Sequence, residues 1–329
     1  MKILVTGGCG FIGSNFIKYL LENNLAEKVI NYDKQTYAGK GRNIEHMGLN
    51  KDTRHKFYYG DICDRFFIKQ VIKETKPDYI FNFAAESHVD RSINSDEIFT
   101  MTNVFGTGVL LNAAREQGIE RFVQIGTDEV YGSLNKTSPS SKETDQTKPN
   151  SPYSASKLGA DALVLSYFTT HQLPVCVTRS SNNYGPYQYQ EKLLPLFITN
   201  LLEGKKVPLM WSEENPGLNI RDWLHVEDNC RAIWYVANYG EPGEIYNIPG
   251  NNERTNIEMT KMLLEIFGMN ENMIKKISHR KGHDFRYSID GTKLKKLGFK
   301  HIHLELPEEL KKLCQWYKEN GNWWRSLKK

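Results

Sequence analysis

Lys2-Ile3-Leu4-Val5-Thr6-Gly7-Gly8-Cys9-Gly10-Phe11-Ile12-Gly13, with Asn15-Phe16-Ile17-Lys18-Tyr19-Leu20-Leu21 close behind, decides how the rest of the chain is read. A short apolar run of this kind forms a buried parallel strand, and the segment after the glycines favours a helix. The three spaced glycines have separate physical work in such a strand-turn-helix. One permits the tight turn, one lets backbone amides reach a pyrophosphate, and one lets helix and strand pack closely. The pyrophosphate then sits at the positive end of the helix. Gly7, Gly10, Phe11, Ile12 and Gly13 are accordingly the first candidate cofactor contacts. A second apolar run, Val29-Ile30-Asn31-Tyr32, ends at Asp33, twenty residues after Gly13. An acid there accepts from both hydroxyls of an adenosine ribose and disfavours a 2′-phosphate, so the expected cofactor is NAD rather than NADP. Lys34 beside it is a small counterweight.

Strand-like and helix-like segments alternate through the first half. Residues 57–62 end a third strand, placing Asp61 and Ile62 at the adenine edge. Residues 78–85 form a fourth, ending in Ala84 and Ala85, where a cofactor passes close to backbone. Residues 121–126 and 175–179 supply the fifth and sixth. The alternation predicts an α/β fold with a Rossmann-like, doubly wound parallel sheet and ligands at the carboxyl ends of its strands. The expected division is an NAD-binding domain over residues 1–185 carrying the catalytic groups, then a smaller substrate-binding lobe over residues 186–329, with segments crossing between the two. Residues 255–267 and 307–319 read as amphipathic packing helices, and Trp323-Trp324 as hydrophobic anchoring.

Composition narrows the class. The 329 residues carry 43 basic and 39 acidic side chains, a net charge of +4 too mild to argue for nucleic acid. No apolar run reaches membrane-spanning length, and the amino-terminal apolar segment is a strand with glycines, not a signal peptide. The five cysteines are scattered without metal-type pairs, which fits a reducing cytoplasm and predicts neither a disulfide framework nor a metal site.

Thr127-Asp128-Glu129-Val130-Tyr131 and Tyr153-Ser154-Ala155-Ser156-Lys157 carry the candidate chemistry. Beside a dinucleotide, a hydroxyl, two adjacent acids, a phenol and an amine suit an enzyme that oxidises a carbinol, eliminates water and reduces what remains. Tyr153 is a poor base at a free pKa of about 10, and a cationic Lys157 one helical turn away favours its phenolate. Thr127 steers the proton. Two neighbouring carboxyls do opposite jobs when their environments separate their pKa values. Asp128 is read as the acid and Glu129 as the base.

Gly7-x-x-Gly10-x-x-Gly13 with Tyr153-x-x-x-Lys157 and the upstream threonine resembles the extended short-chain dehydrogenase/reductase family. Ala84 to Ser92, Thr127 to Gly132, Asn150 to Tyr153, Ser181 to Gln188, Glu191-Lys192-Leu193, Arg221-Asp222-Trp223 and Gly282-His283-Asp284 resemble its nucleotide-sugar 4,6-dehydratases. The resemblance implies C4 oxidation of a nucleoside-diphosphate hexose, loss of water across C5–C6 and hydride return to C6. It points first to dTDP-glucose, with GDP-, UDP- or CDP-linked hexoses or N-acetylhexosamines as alternatives. It implies substrate contacts from Ser87, Thr127, Asn182, Asn183, Lys192, Leu193, Arg221, Asn252 and His283, with Asn183, Lys192 and Arg221 on the diphosphate. His88 is balanced between a sugar contact and a structural histidine, and Asp90 and Arg91 tie their loop together. A homodimer is also implied, through the Tyr153 helix and residues 103–115, where Val104, Leu110, Leu111, Leu163 and Leu165 supply apolar surface.

Two positions depart from the pattern. Gly126 replaces a serine, and Leu209-Met210-Trp211-Ser212-Glu213-Glu214-Asn215-Pro216-Gly217 replaces a shorter Tyr-Gly-x-Gly link near the nucleotide. The base, and whether C2 bears hydroxyl or acetamido, stay open. A 4-epimerase or decarboxylase would not need Asp128 and Glu129, and a non-catalytic NAD(H) sensor would not need Tyr153 and Lys157.

Overall fold

In the computed structural model, residues 1–279 and 282–328 are described, with every side chain among them except those of Asp90 and Asn94. The role given to Asp90 therefore falls outside the described side chains. Lys2–Thr6 forms β1, Lys28–Asp33 β2, His55–Tyr59 β3, Tyr79–Asn82 β4, Arg121–Thr127 β5 and Val175–Ser180 β6. These six lie side by side as β3-β2-β1-β4-β5-β6, every pair parallel. The chain winds outward from β1 in one direction and from β4 in the other. A crevice therefore opens at the carboxyl ends of β1 and β4, the place where such sheets take ligands.

The central strands are apolar on both faces because helices cover both. Phe16, Ile17 and Leu20 from the helix Phe11–Glu22 pack with Ile233 and Val236 on one face. Ile68, Val71, Leu110, Leu111 and Val164 pack on the other. Leu110 and Leu111 are thus core of the chain itself, not the free apolar surface expected of them.

The second half contributes β7 (Asn182–Tyr184), β8 (Val207–Met210), β9 (Ile220–His225), β10 (Glu244–Ile248), β11 (Glu253–Thr255) and β12 (Ile274–Ile277). β10 returns to the central sheet as a seventh strand, parallel to β6. Five residues that include an acid and an asparagine give no periodic signal, so the pattern alone assigns no strand there. β7, β9 and β11 form a second sheet, and β8 pairs with β12 in a third. A separate apolar cluster holds this region together, with Phe197, Trp223, Leu263, Leu310, Tyr317, Trp323 and Trp324 buried in it. The packing helices are Asn256–Ile266, capped by Thr255 and Glu258 in a reciprocal box, and Leu306–Glu319. Among the described residues, no helix is long and apolar enough to cross a membrane.

Candidate active site

The glycine turn is shaped by two different demands. Gly7 has φ of 67°, and a Cβ there would lie 2.6 Å from Ala84 N. A Cβ on Gly13 would lie 2.3 Å from the Gly7 carbonyl oxygen, so helix and turn need hydrogen there. Gly10 differs: a Cβ would meet only the Gly7 carbonyl oxygen, at 3.3 Å. The protein leaves room at Gly10, and that room lies where a diphosphate would approach the helix terminus. Asp33 ends β2 beside it, accepting from Cys9 N–H at 2.9 Å and Gln35 N–H at 2.6 Å. Burial pushes its carboxyl up to about 6, against those two amides. Lys34 turns away to Asp61, with Nζ 2.8 Å from Oδ2, so its ammonium is already committed. Residues and space together fit a dinucleotide with an unphosphorylated ribose.

A cavity of about 320 Å³ runs along the carboxyl ends of the strands. Its lining takes in Gly7, Gly10, Phe11, Ile12, Gly13, Asp33, Asp61, Ile62, Ala84 and Ala85 on the cofactor side. Ser87, Thr127, Asp128, Glu129, Tyr153, Lys157, Asn182, Asn183 and Lys192 line the rest of it. Leu193, Arg221, Asn252 and His283 are not in that lining. Arg221 is buried behind Asp128 and donates to the Asp284 and Phe285 carbonyls at 3.0 and 3.3 Å. Asn252 caps the Asp222 carboxylate with its N–H at 2.7 Å.

The reactive groups are set by local structure. Thr127 ends β5 and caps the turn Asp128–Tyr131, accepting from Glu129 N–H at 3.3 Å. The capping geometry presents both acids side by side at the strand end. Ser151 and Ser154 form a capping box and Pro152 stands in the first turn, which starts the helix Pro152–His171 where Tyr153 and Lys157 share a face. Phe99 meets the Tyr153 ring edge-on at 6.3 Å. The Lys157 ammonium donates to the Ile125 carbonyl at 2.6 Å.

The electrostatics divide these groups. Burial pushes the Asp128 carboxyl well above the ordinary range, and the Glu129 and Asp222 carboxylates act the same way. Its Oδ2 is buried without a hydrogen-bond partner. A carboxyl kept protonated so close to another carboxylate is poised to give a proton. Burial, then the Glu129 and Asp128 carboxylates, raise the Tyr153 phenol, with a hydrogen bond from Thr127 opposing. Burial pushes Lys157 down to about 8 while Asp161 supports its charge. The phenolate therefore needs a further positive charge in the pocket.

Tyr37 in the lining and Tyr287 behind it carried no sequence signal, and the contacts of Glu191, Arg91 and His88 were not legible either. Tyr37 donates to Glu191 Oε1 at 2.8 Å across the mouth of the cavity, and Arg91 lies over its ring at 3.8 Å. His88 Nε2 is 3.9 Å from Glu191. Tyr287 lies under the Arg221 guanidinium at 4.3 Å, and after burial the Glu129 carboxylate is the strongest influence on its phenol, pushing it up. Asp161 does have a signal: it continues Tyr153 and Lys157 at the same four-residue spacing, and Arg179 pairs with it at 3.0 Å. Away from the cavity, His225, Glu227 and His303 bring possible ligand atoms within 4.8 Å. His303 is already bracketed by Glu227 and Glu309 at 3.1 and 3.2 Å, and His225 and His303 stack with centroids 3.7 Å apart. Ion pairing and ring stacking account for the cluster.

Comparison with known proteins places this geometry. Residues 4–308 match the family described as GDP-mannose 4,6 dehydratase. A dTDP-glucose 4,6-dehydratase from Streptomyces antibioticus is 45% identical across 100% of this chain and 96% of its own. The low-salt glycan biosynthesis protein Agl12 of Haloferax volcanii is 47% identical over 91% and 93%. The crystal structure of DesIV, a dTDP-glucose 4,6-dehydratase of Streptomyces venezuelae with NAD bound, superimposes with a TM-score of 0.94 at 45% identity, over 99% of this chain and 100% of that one. UDP-glucose 4-epimerase of Thermotoga maritima follows at 0.88 and 29%. The chain belongs to the nucleotide-sugar 4,6-dehydratases of the extended short-chain dehydrogenase/reductase family.

Proposed function

We propose that this member of the family is an NAD-dependent hydro-lyase that converts dTDP-glucose to its 4-keto-6-deoxy product. The observation that carries the reading is Asp128, a fully buried carboxyl with Oδ2 unpartnered, set beside Glu129 at the end of β5, where burial and that neighbour strengthen its hold on a proton. An epimerase on this scaffold has no use for that pair. NAD held along Gly10 and Asp33 would supply the hydride acceptor for C4, the donor for C6 and the positive charge that the Tyr153 phenol lacks. Tyr153 takes the C4 hydroxyl proton, with Thr127 bonded to the same oxygen and Lys157 held one turn away. The new ketone acidifies C5–H, and Glu129 removes that proton. Asp128 protonates the departing C6 hydroxyl, so water leaves. Glu129 then gives a proton back to C5 as hydride reaches C6, and the sugar ends with no net change in redox state.

Within this reading Ser87, Asn182, Asn183, Lys192, Leu193, Arg221, Asn252 and His283 are the substrate contacts, and Asp33, Asp61 and Ile62 hold the adenosine. We retain a division near residue 185, with β10 crossing back into the cofactor sheet. We also propose a cytoplasmic location, which suits five free thiols. We propose a homodimer through the exposed Ile93, Ile98, Met101 and Phe105, on segments packed beside the Tyr153 helix; a monomer in light scattering would remove it. The function is tested by assaying dTDP-, UDP-, CDP- and GDP-hexoses and UDP-N-acetylglucosamine in parallel by mass spectrometry. Loss of one water from dTDP-glucose is expected. The same loss from another nucleotide sugar would keep the chemistry and move the base specificity. No loss from any of them would overturn the reading.

A further inference from the structure

Two residues with opposed preferences stand at the end of β2. Asp33 suits an unphosphorylated ribose, yet Lys34 follows it directly, and a cation there is what a 2′-phosphate would pair with. Both line the cavity. A lysine carries its charge on a flexible four-carbon stem, so its neighbours decide which anion it serves.

The deciding neighbour is Asp61, just past the end of β3, the strand that pairs with β2. Three hydrogen bonds fix its place. The buried Tyr32 hydroxyl donates to the Asp61 carbonyl at 3.0 Å, and Asp64 N–H donates to the same oxygen at 2.9 Å. Asp61 Oδ1 accepts from Cys63 N–H at 2.9 Å. Gly60 lets the tyrosine come this close, since a Cβ there would collide with the Tyr32 hydroxyl. Oδ2 then faces Lys34, whose Nζ lies 2.8 Å away. That bond strengthens the hold of Lys34 on its proton, and the Glu86 carboxylate acts the same way. A fixed acid therefore holds a flexible cation.

We propose that Asp61 is a specificity-determining residue for the cofactor: by holding Lys34 it withdraws the lysine that would otherwise pair with a 2′-phosphate. Asp33 repels that phosphate, and Asp61 removes a group that could compensate. The proposal rests on the reading that the cavity takes NAD, and it is independent of which sugar is dehydrated. A pair about one-third exposed is worth only a few-fold in affinity, so it adds to the preference that Asp33 sets.

The test is a competition. Full-length protein is dialysed to equilibrium against equimolar NAD and NADP, and the retained dinucleotides are measured by mass spectrometry after denaturation. Their ratio cancels any contact of Asp61 with the adenine, which both molecules share. Wild type should hold NAD in excess. Asp61→Asn should move the ratio toward NADP about fivefold. Adding Lys34→Met to that variant should remove the gain, whereas Lys34→Met alone should move the ratio little. Asp61→Ser, whose hydroxyl can still accept from Cys63 N–H, repeats the measurement if the asparagine variant does not fold. A wild-type ratio in the Asp61 variants would overturn the proposal. So would an equal shift from Lys34→Met in both backgrounds, which would make Asp61 no more than a negative charge near the phosphate. Failure of the reading beneath it looks different: wild type would then retain neither dinucleotide, or NADP in excess.

Discussion

The two walls of the cavity are built in opposite ways. On the cofactor side, each functional residue follows a strand of one sheet, and one backbone turn places it: Gly7 to Gly13 after β1, Asp33 at the end of β2, Thr127 to Glu129 at the end of β5. On the other side, Arg221 and Asn252, proposed substrate contacts that stand behind the cavity lining, come from separate segments and are held by backbone carbonyls and amides. Arg221 spends its guanidinium on the Asp284 and Phe285 carbonyls, and Asp222 gathers the amides of Gly250 and Asn252. Where a local turn sets the geometry, one residue carries one role. Where long-range hydrogen bonds set it, roles are shared.

The sharpest break would come at Glu129. Glu129→Gln should lower dehydration on the order of a thousandfold while dTDP-glucose still reduces bound NAD, seen as absorbance of the reduced cofactor. Full dehydration by that variant would dissolve the acid-base split on the cofactor wall. Next in size is Trp324→Ala, which empties a fully buried site whose indole N–H donates to the Tyr317 carbonyl at 2.7 Å. Denaturant unfolding should show a loss of about 3 kcal/mol, and a drop in dTDP affinity larger than the drop in NAD affinity. Equal drops would mean that the two walls fold as one unit.

Gly7 and Gly10 separate folding from binding on one turn. Gly7→Ala should cost about 2 kcal/mol or more, because its φ is positive and Ala84 stands in the way. Gly10→Ala should melt as wild type does without cofactor and lose most of the melting-temperature gain that NAD gives. An equal melting loss in both would show that Gly10 serves the turn and not the ligand.

Asp33 makes the cofactor wall sensitive to pH. Its carboxyl, raised from 3.8 to about 6, must be ionised to accept from both ribose hydroxyls, so NAD affinity should rise about tenfold between pH 5 and 7. The sign for stability is the reverse. With the folded value above the unfolded one, the group favours the cofactor-free fold at low pH, and that contribution fades as pH climbs through about 6. Asp33→Asn should flatten both trends. The smallest effect is expected at Trp211→Ala, which removes the contact with Lys276. Loss of about 0.5–1 kcal/mol of dTDP affinity with unchanged NAD affinity would confirm that the long loop belongs to the second wall alone.

The difference between the walls also explains how far the sequence could be read. Lys2–Thr6 with its glycines, Asp33 twenty residues on, Thr127 before two acids, and Tyr153 one turn from Lys157 are patterns of fixed short spacing. Their geometry follows from one strand, one turn or one helix. Asp161 belonged to the same pattern and was legible at one further helical turn. Tyr37 and Glu191 meet across the cavity mouth although 154 positions separate them, and Glu129 raises the Tyr287 phenol through space although the two are far apart in the chain. No local periodicity marks such meetings. β10 shows the same limit, since its membership of the central sheet depends on β6 and not on its own five residues.

The amino-acid sequence by itself determined the parallel sheet, the dinucleotide turn, the preference for an unphosphorylated ribose and the placement of Thr127, Asp128, Glu129, Tyr153 and Lys157 at strand and helix ends. Those outcomes need only backbone sterics and nearest-turn hydrogen bonding. Tertiary structure alone decided that the Asp128 carboxyl holds a proton more tightly than a free one, that Lys34 is drawn to Asp61, and that Tyr37 meets Glu191 across the cavity mouth. A proton's affinity and an ion pair depend on burial and on charges brought from distant positions, and only the folded chain supplies those neighbours.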